Sequence, residues 1–169
     1  MRTPPLILIV DDNPMNLDIL QTRLSVHGYD IVTAVDGEEA LAVAREQLPD
    51  LILLDIMMPK VDGIEVCKRL KADSALPFMP IIMVTAKADT KDIVAGLDAG
   101  GDEYLTKPLD QAALVARVKS MLRSKTLHDT VQEQAVRLET QAAELAQLNR
   151  TLEKRVQEQV SELDRVGRL

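Results

Sequence analysis

The amino-acid sequence predicts an α/β fold in which helices cover both faces of a doubly wound parallel sheet. Two observations predict it: five short apolar runs that largely lack polar alternation, and helical patterns that separate consecutive runs. Such runs are typical of strands buried on both faces. Strands that alternate with helices form βαβ units, and the right-handed crossover then leaves a doubly wound sheet. The predicted strands are Leu6–Val10, Asp30–Ala34, Leu51–Leu54, Ile81–Val84 and Glu103–Leu105.

The first predicted helix has sequence signals at both ends. Asn13 suits the N-cap, Pro14 suits the first helical position, and Gly28 follows the end. Leu17, Leu20 and Leu24 recur at helical spacing and form its buried face. Further helices are predicted over about 38–47, 64–71 and 90–99, and from 110 onward.

The last of these helices is predicted to continue far beyond the sheet. Residues 110–166 contain neither proline nor glycine, so nothing in this stretch breaks a helix. At 1.5 Å per residue, a helix of this length extends on the order of 80 Å. We therefore expect a globular domain at residues 1–123 and a helical tail at residues 124–169.

The tail carries an apolar seam with the spacing of a coiled coil. A lone asparagine at one seam position, here Asn149, is a known means of fixing a parallel two-stranded register. After Val156 the seam is irregular, because Gln159 takes an apolar position while Val160 and Leu163 fit a register with a stutter. We expect a parallel homodimer, the alternative being a single helix folded back on its own domain. The regular seam positions are Val131, Ala135, Leu138, Ala142, Leu145, Leu152 and Val156.

Composition excludes several classes of function. The formal net charge is -7, whereas nucleic-acid binding needs a basic face, so no direct nucleic-acid contact is expected. The single cysteine, Cys67, cannot form an intramolecular disulfide; it fits a reducing compartment and the buried stripe of a helix. The first apolar run is too short for a signal peptide, and no run approaches membrane-spanning length. A cytoplasmic protein without a membrane segment is expected.

Polar side chains follow four of the five predicted strands. They are Asp11 and Asp12, Asp55, Thr85 and Lys107. Because parallel strands end on one edge of the sheet, we expect these side chains to converge there. Three carboxylates in one crevice repel each other, and a hard divalent cation such as Mg²⁺ relieves that repulsion. A lysine and a hydroxyl add groups that could hold a phosphoryl unit, and a carboxylate can serve as its acceptor.

These residues, in this order, resemble the receiver domain of two-component response regulators. The resemblance rests on Asp11-Asp12, on Asp55 followed by Met57-Met58-Pro59 and Gly63, on Thr85-Ala86, and on Tyr104 before Lys107-Pro108. It covers roughly residues 5 to 123. It implies a flavodoxin-like (βα)5 fold with strand order 2-1-3-4-5 that takes phosphate from a histidine kinase or phosphotransfer protein.

The resemblance also implies a role for each site residue. Asp55 would be the phosphoacceptor, and Asp12, Asp55 and the Met57 backbone carbonyl would bind Mg²⁺, with Asp11 acting mainly through water. Thr85 and Lys107 would bind the phosphoryl oxygens, and Thr85 and Tyr104 would act as the switch residues. The Lys107-Pro108 peptide would be cis. The domain would be a regulatory phosphoacceptor and not an enzyme that turns over a separate substrate.

Two other functions remain as alternatives. An aspartate-nucleophile phosphohydrolase also uses an α/β fold and Mg²⁺, but usually places its two acids two residues apart after the first strand. A structural dimerisation module with an inactive receiver is the other alternative, against which the complete set of acids, Thr85 and Lys107 argues. The tail resembles linkers that join receivers to nucleotide cyclases or other dimeric output domains, so an output domain is expected to follow the chain.

Overall fold

The computed structural model describes residues 1–86 and 90–168. A five-stranded sheet forms the centre of the fold, in the order β2-β1-β3-β4-β5, and every pair of neighbouring strands is parallel. The predicted doubly wound fold and its strand order are therefore confirmed. The strands are β1 (Leu6–Val10), β2 (Asp30–Ala34), β3 (Leu51–Asp55), β4 (Ile81–Thr85) and β5 (Glu103–Thr106).

A helix follows each strand, and the first three helices begin at side-chain N-caps. The Asn13, Asp36 and Asp62 side chains each accept a hydrogen bond from a backbone N–H of the first turn. Such bonds satisfy donors that have no partner within the helix. The helices are α1 (Pro14–Ser25), α2 (Gly37–Gln47), α3 (Gly63–Ala72), α4 (Thr90–Asp98) and α5 (Gln111–Gly167).

The strands bury apolar side chains on both faces of the sheet. In β1, Ile7 and Ile9 belong to one hydrophobic cluster together with α1 and α5, while Leu8 and Val10 belong to the other, together with α2 and α3. This alternation follows from the two-residue period of a strand. Cys67 lies in the second cluster, where burial raises the pKa of its thiol to about 11. A thiol in this environment is a small apolar side chain and not a nucleophile.

Contacts between residues divide the chain into two units, Met1–Asp129 and Thr130–Leu169. Within the first unit, α5 buries Leu114, Val118 and Leu122 in the cluster that also contains α1. In the second unit every described residue is exposed, so the apolar seam of this segment is open to solvent in the single chain. Within residues 1–86 and 90–168, no helix is long and apolar enough to cross a membrane.

Candidate functional site

The sheet register brings two of the acidic side chains to the same edge. Val10 of β1 pairs with Leu54 of β3, so Asp11 and Asp55, the residues that follow them, lie side by side at the carboxyl ends of neighbouring strands. Asp11 is 2% exposed and Asp55 is 5% exposed, whereas Asp12 is open to solvent. One carboxylate oxygen from each of the three lies within 4.8 Å of the others. The predicted acidic cluster is therefore formed.

Lys107 connects the two buried acids. Its Nζ lies 3.1 Å from Asp11 Oδ2 and 3.2 Å from Asp55 Oδ2, and it donates a hydrogen bond to each. The second oxygen of Asp55 accepts a hydrogen bond of 3.2 Å from the backbone N–H of Met57. Both oxygens of the expected acceptor are thus held in fixed directions.

The charges of this group do not balance. Burial raises the pKa of the Asp55 carboxyl, and Asp11 raises it further, although Lys107 lowers it. Burial lowers the pKa of Lys107, but the hydrogen bonds and charges of Asp11 and Asp55 outweigh that effect and raise it overall. Among the described residues, Lys107 is the cation shared by the two buried acids, so its ammonium is stabilised while the Asp55 carboxylate remains under-compensated.

This donor set fits Mg²⁺. The ligand atoms are carboxylate oxygens, which hard divalent cations prefer, and the exposed Asp12 leaves the cluster open to solvent on one side. The under-compensated charge on Asp55 supplies a physical reason for a cation there. The resemblance to receiver domains likewise implies Mg²⁺ at an acidic pocket of this kind.

The other expected site residues lie near the same edge. Thr85 ends β4 next to Val84, the register partner of Asp55, and it is buried. Lys107 follows β5, where its backbone N–H donates to the Thr85 carbonyl at 2.7 Å, and the Lys107-Pro108 peptide is cis, as the resemblance implied. Met57 is exposed. Tyr104 lies on β5 opposite Met83, and its side chain is 38% exposed.

The loop after β3 is held against the acceptor strand by a close backbone contact. Gly63 donates its N–H to the Ile56 carbonyl at 3.0 Å. A Cβ at position 63 would overlap the Asp55 carbonyl oxygen and lie 2.8 Å from the Ile56 Cα. Only glycine allows this approach, so Gly63 is required for the path of the segment that carries Asp55 and Met57.

One residue of the site was not predicted from the sequence. The Asn16 side chain, in the first turn of α1, donates a hydrogen bond of 3.1 Å to Asp11 Oδ2. Its position three residues after the predicted N-cap was a usable signal, because a side chain there points back towards the residues before the helix.

Known proteins resemble this chain over the same region. Residues 7–119 match the family described as the response regulator receiver domain. The DNA-binding dual master transcriptional regulator RpaA of Synechocystis is 46% identical over 119 residues, which are 70% of this chain and 49% of RpaA. The alkaline phosphatase synthesis transcriptional regulatory protein PhoP of Bacillus subtilis is 50% identical over 117 residues, covering 69% of this chain and 48% of PhoP.

A solved structure shows the same architecture. The CheY-like response regulator receiver domain protein of Methanospirillum hungatei has a TM-score of 0.67 at 34% identity, over 72% of this chain and 96% of that chain. This chain spans about half the length of the two curated relatives. The family match covers more than half of the chain and includes every strand residue from Ile7 onward as well as the acidic cluster. The chain therefore belongs to the receiver domain family of two-component response regulators, which are regulatory phosphoacceptors.

Proposed function

We propose that Asp55 accepts a phosphoryl group from a histidine kinase or phosphotransfer protein in a reaction that requires Mg²⁺. The observation that carries this proposal is the buried Asp55 carboxylate, 3.2 Å from the Lys107 ammonium within a cluster of three acids. An Asp55 oxygen would attack phosphorus, forming a P–O bond as the P–N bond to the donor imidazole breaks. The imidazole keeps the electron pair of that bond.

The neighbouring residues would position and neutralise the transferred group. Asp12, Asp55 and the Met57 carbonyl would hold Mg²⁺, with Asp11 acting mainly through water. The bound ion supplies positive charge to the phosphoryl oxygens. Lys107, already at the acceptor oxygen, would bind another phosphoryl oxygen, and the Thr85 hydroxyl would bind a third. Tyr104, exposed on β5, would serve as the switch residue that responds to this rearrangement.

Intact mass spectrometry tests the acceptor. Wild type and Asp55→Asn would each be incubated with acetyl phosphate and Mg²⁺ and measured at intervals. One added phosphoryl group is expected on wild type and none on Asp55→Asn. Glu46→Gln, which changes an exposed acid on α2, is the matched control and should be modified as wild type is.

The alternatives give different results in the same experiment. An adduct that persists on Asp55→Asn would place the acceptor elsewhere. Absence of any adduct on wild type, with Mg²⁺ binding demonstrated and rapid hydrolysis excluded, would favour the structural dimerisation module. Multiple turnovers of a small phosphate ester would favour the phosphohydrolase.

We further propose that the tail, expected at residues 124–169, forms a parallel homodimer and relays the phosphorylation state to an output domain. Two observations support this proposal. The seam residues Leu138, Leu145 and Leu152 are 50–66% exposed in the single chain, which leaves an apolar surface for a partner. RpaA and PhoP are about twice as long as their matched segments, consistent with a receiver that acts on a further domain.

A further inference from the structure

The carboxylate of Asp11 is held at both oxygens by the first turn of α1. Asp11 Oδ1 accepts a 2.9 Å hydrogen bond from the Asn13 backbone N–H, and Asp11 Oδ2 accepts a 3.1 Å hydrogen bond from Asn16 Nδ2. Pro14 and Asn13 set the start of this helix, because Pro14 occupies its first turn and the Asn13 side chain caps the Met15 N–H. The helix start therefore fixes the plane of a buried acid in the site.

This arrangement differs from an ordinary helix cap. A polar side chain at the third helical position usually reaches back to the N–H of the N-cap residue. Here that N–H is taken by Asp11, and the Asn16 amide donates to Asp11 as well. The polar group of Asn16 is thus directed to a site residue and not to the cap.

Asn16 and Lys107 share the same acceptor atom. Both donate to Asp11 Oδ2 at 3.1 Å, but Lys107 also donates to Asp55. When the ammonium turns to a phosphoryl oxygen on Asp55, Asp11 Oδ2 loses its charged donor. A buried carboxylate oxygen left without any donor is unfavourable, and among residues 1–86 and 90–168 the neutral Asn16 amide is a donor that can remain.

We infer that Asn16 is a positioning residue that keeps Asp11 oriented towards the Mg²⁺ site while Lys107 serves the phosphoryl group. This inference rests on the function proposed above for Asp55. Asn16 would contact neither the ion nor the phosphoryl group. It acts through Asp11, as groups that orient the ligands of a metal site commonly do.

The test is Mg²⁺ affinity measured by isothermal titration calorimetry on wild type, Asn16→Ala and Asn16→Leu. Leucine keeps a branched side chain of similar size but has no donor. Loss of a group that orients a metal ligand typically weakens metal affinity by about 10-fold or more, and we expect this for both variants. Met15→Ala, an exposed neighbour in the same turn, is the matched control and should bind Mg²⁺ as wild type does.

A second measurement separates positioning from a folding defect. Phosphorylation by acetyl phosphate would be followed over a range of Mg²⁺ concentrations. Asn16→Ala should raise the Mg²⁺ concentration that gives the half-maximal rate, while the amount of protein modified at saturating Mg²⁺ stays near that of Met15→Ala. A fold defect would instead reduce the modifiable protein at every Mg²⁺ concentration.

Mg²⁺ affinity in both Asn16 variants equal to that of Met15→Ala would overturn the inference. So would a loss of modifiable protein with an unchanged Mg²⁺ midpoint. Failure of the proposed function is distinguishable from either result. In that case wild type itself would remain unphosphorylated, while the calorimetric comparison, which needs no phosphoryl transfer, would still decide the role of Asn16.

Discussion

At the scale of single residues, the buried acids of the site carry more negative charge than Lys107, the cation that the described part of the chain places there, compensates. Asp11 and Asp55 are buried side by side, and Lys107 is the cation that bridges them. Taking a carboxylate out of water is costly unless a partner fully offsets the loss of hydration. The direction of the Asp55 pKa shift indicates that Lys107 does not fully offset it. The incompletely compensated Asp55 carboxylate therefore destabilises the metal-free fold, and the same charge favours binding of a cation at this site.

This charge excess predicts that Asp55→Asn stabilises the Mg²⁺-free protein at pH 7. Asparagine has the same shape and can keep a contact with Lys107 through its carbonyl, but it carries no charge to desolvate. A gain of about 1 kcal/mol would raise the unfolding midpoint by roughly 2–4 °C. Thermal unfolding in the presence of a chelator measures the difference.

The stability difference between Asp55→Asn and wild type is expected to depend on pH. The Asp55 pKa is raised in the fold, so its charged form costs stability above the folded pKa and costs none below the unfolded value of 3.8. The stability difference between Asp55→Asn and wild type should shrink as pH falls towards 3.8. Glu46→Gln, which changes an exposed acid on α2, is the control measured in parallel. A difference that grows on acidification would contradict this account.

At the scale of elements, the first unit ends in a cluster that anchors α5 to the loop before β4. Lys125 is 5% exposed, and its Nζ donates to the Phe78 carbonyl at 2.6 Å. It also forms an ion pair with Asp129 at 3.1 Å, one helical turn later. The rings of Phe78 and His128 stack with centroids 3.8 Å apart. This stretch of α5 therefore belongs to the globular unit.

Lys125→Met is expected to loosen this anchor. Methionine can fill the space of the lysine stem. However, the Phe78 carbonyl loses its hydrogen-bond donor, and Asp129 loses its ion pair with the lysine one helical turn earlier. Leaving a buried carbonyl without a donor costs about 1–3 kcal/mol, whereas Asp129 keeps the N-terminal ammonium of Met1, 3.5 Å away. Urea unfolding measures the loss, and Lys119→Met, an exposed lysine on the same helix, should change stability little. Equal stability of the two variants would show that the anchor does not stabilise the unit.

Sequence patterns predicted the elements well because each signal was local. Apolar runs located all five strands to within one residue, and the Asn13, Pro14 and Gly28 signals located α1. The predicted start of the third helix at about residue 64 likewise lies within one residue of Gly63, where α3 begins. Local signals and the final fold agree here, as is typical of natural sequences.

Contacts between distant residues were not predictable in the same way. The rule that parallel strands end on one edge of the sheet placed Asp11 beside Asp55, because these residues follow strands that are neighbours in the sheet. It could not predict that Lys125 is buried, because its partner Phe78 lies 47 residues away and a lysine in a mixed-charge helix is usually exposed. The third helical position of Asn16 indicated only that its side chain points back towards the residues before the helix, whereas its bond to Asp11 also depends on how α1 leaves β1.

At the scale of the whole molecule, the second unit presents an apolar seam without a partner in the single chain. Leu138, Leu145 and Leu152 recur every seven residues and are half exposed or more. An isolated helix gains nothing from such a stripe, whereas two chains bury it against each other. The flanking positions include Ala146, Leu148 and Val160, so charge pairs do not set the orientation, and Asn149 is the residue expected to do so.

We therefore predict that the chain is a dimer and that Leu145→Lys dissociates it. Two leucines, one from each chain, each contribute about 1.5 kcal/mol on burial. Their loss should raise the dissociation constant about 100-fold, since 1.4 kcal/mol corresponds to a factor of ten. Sedimentation equilibrium measures this constant. Gln147→Lys adds the same charge two residues away, outside the seam, and should leave the dimer intact; equal effects of the two variants would exclude the seam as the interface.

A second experiment on the same chain determines whether the two helices of the dimer are parallel or antiparallel. In a parallel coiled coil, position 131 of one chain faces position 131 of its partner, so a Val131→Cys protein should form an intermolecular disulfide on mild oxidation. In an antiparallel coil spanning residues 131–166, the two introduced thiols would lie about 50 Å apart at 1.5 Å per residue and could not react. Because Cys67 is buried, wild type is the control without a bridge. A disulfide would show that equivalent ends of the two tails lie together, as the proposed relay requires. A dimer that forms no disulfide would contradict the parallel arrangement, and a different route from Asp55 to the output domain would then be required.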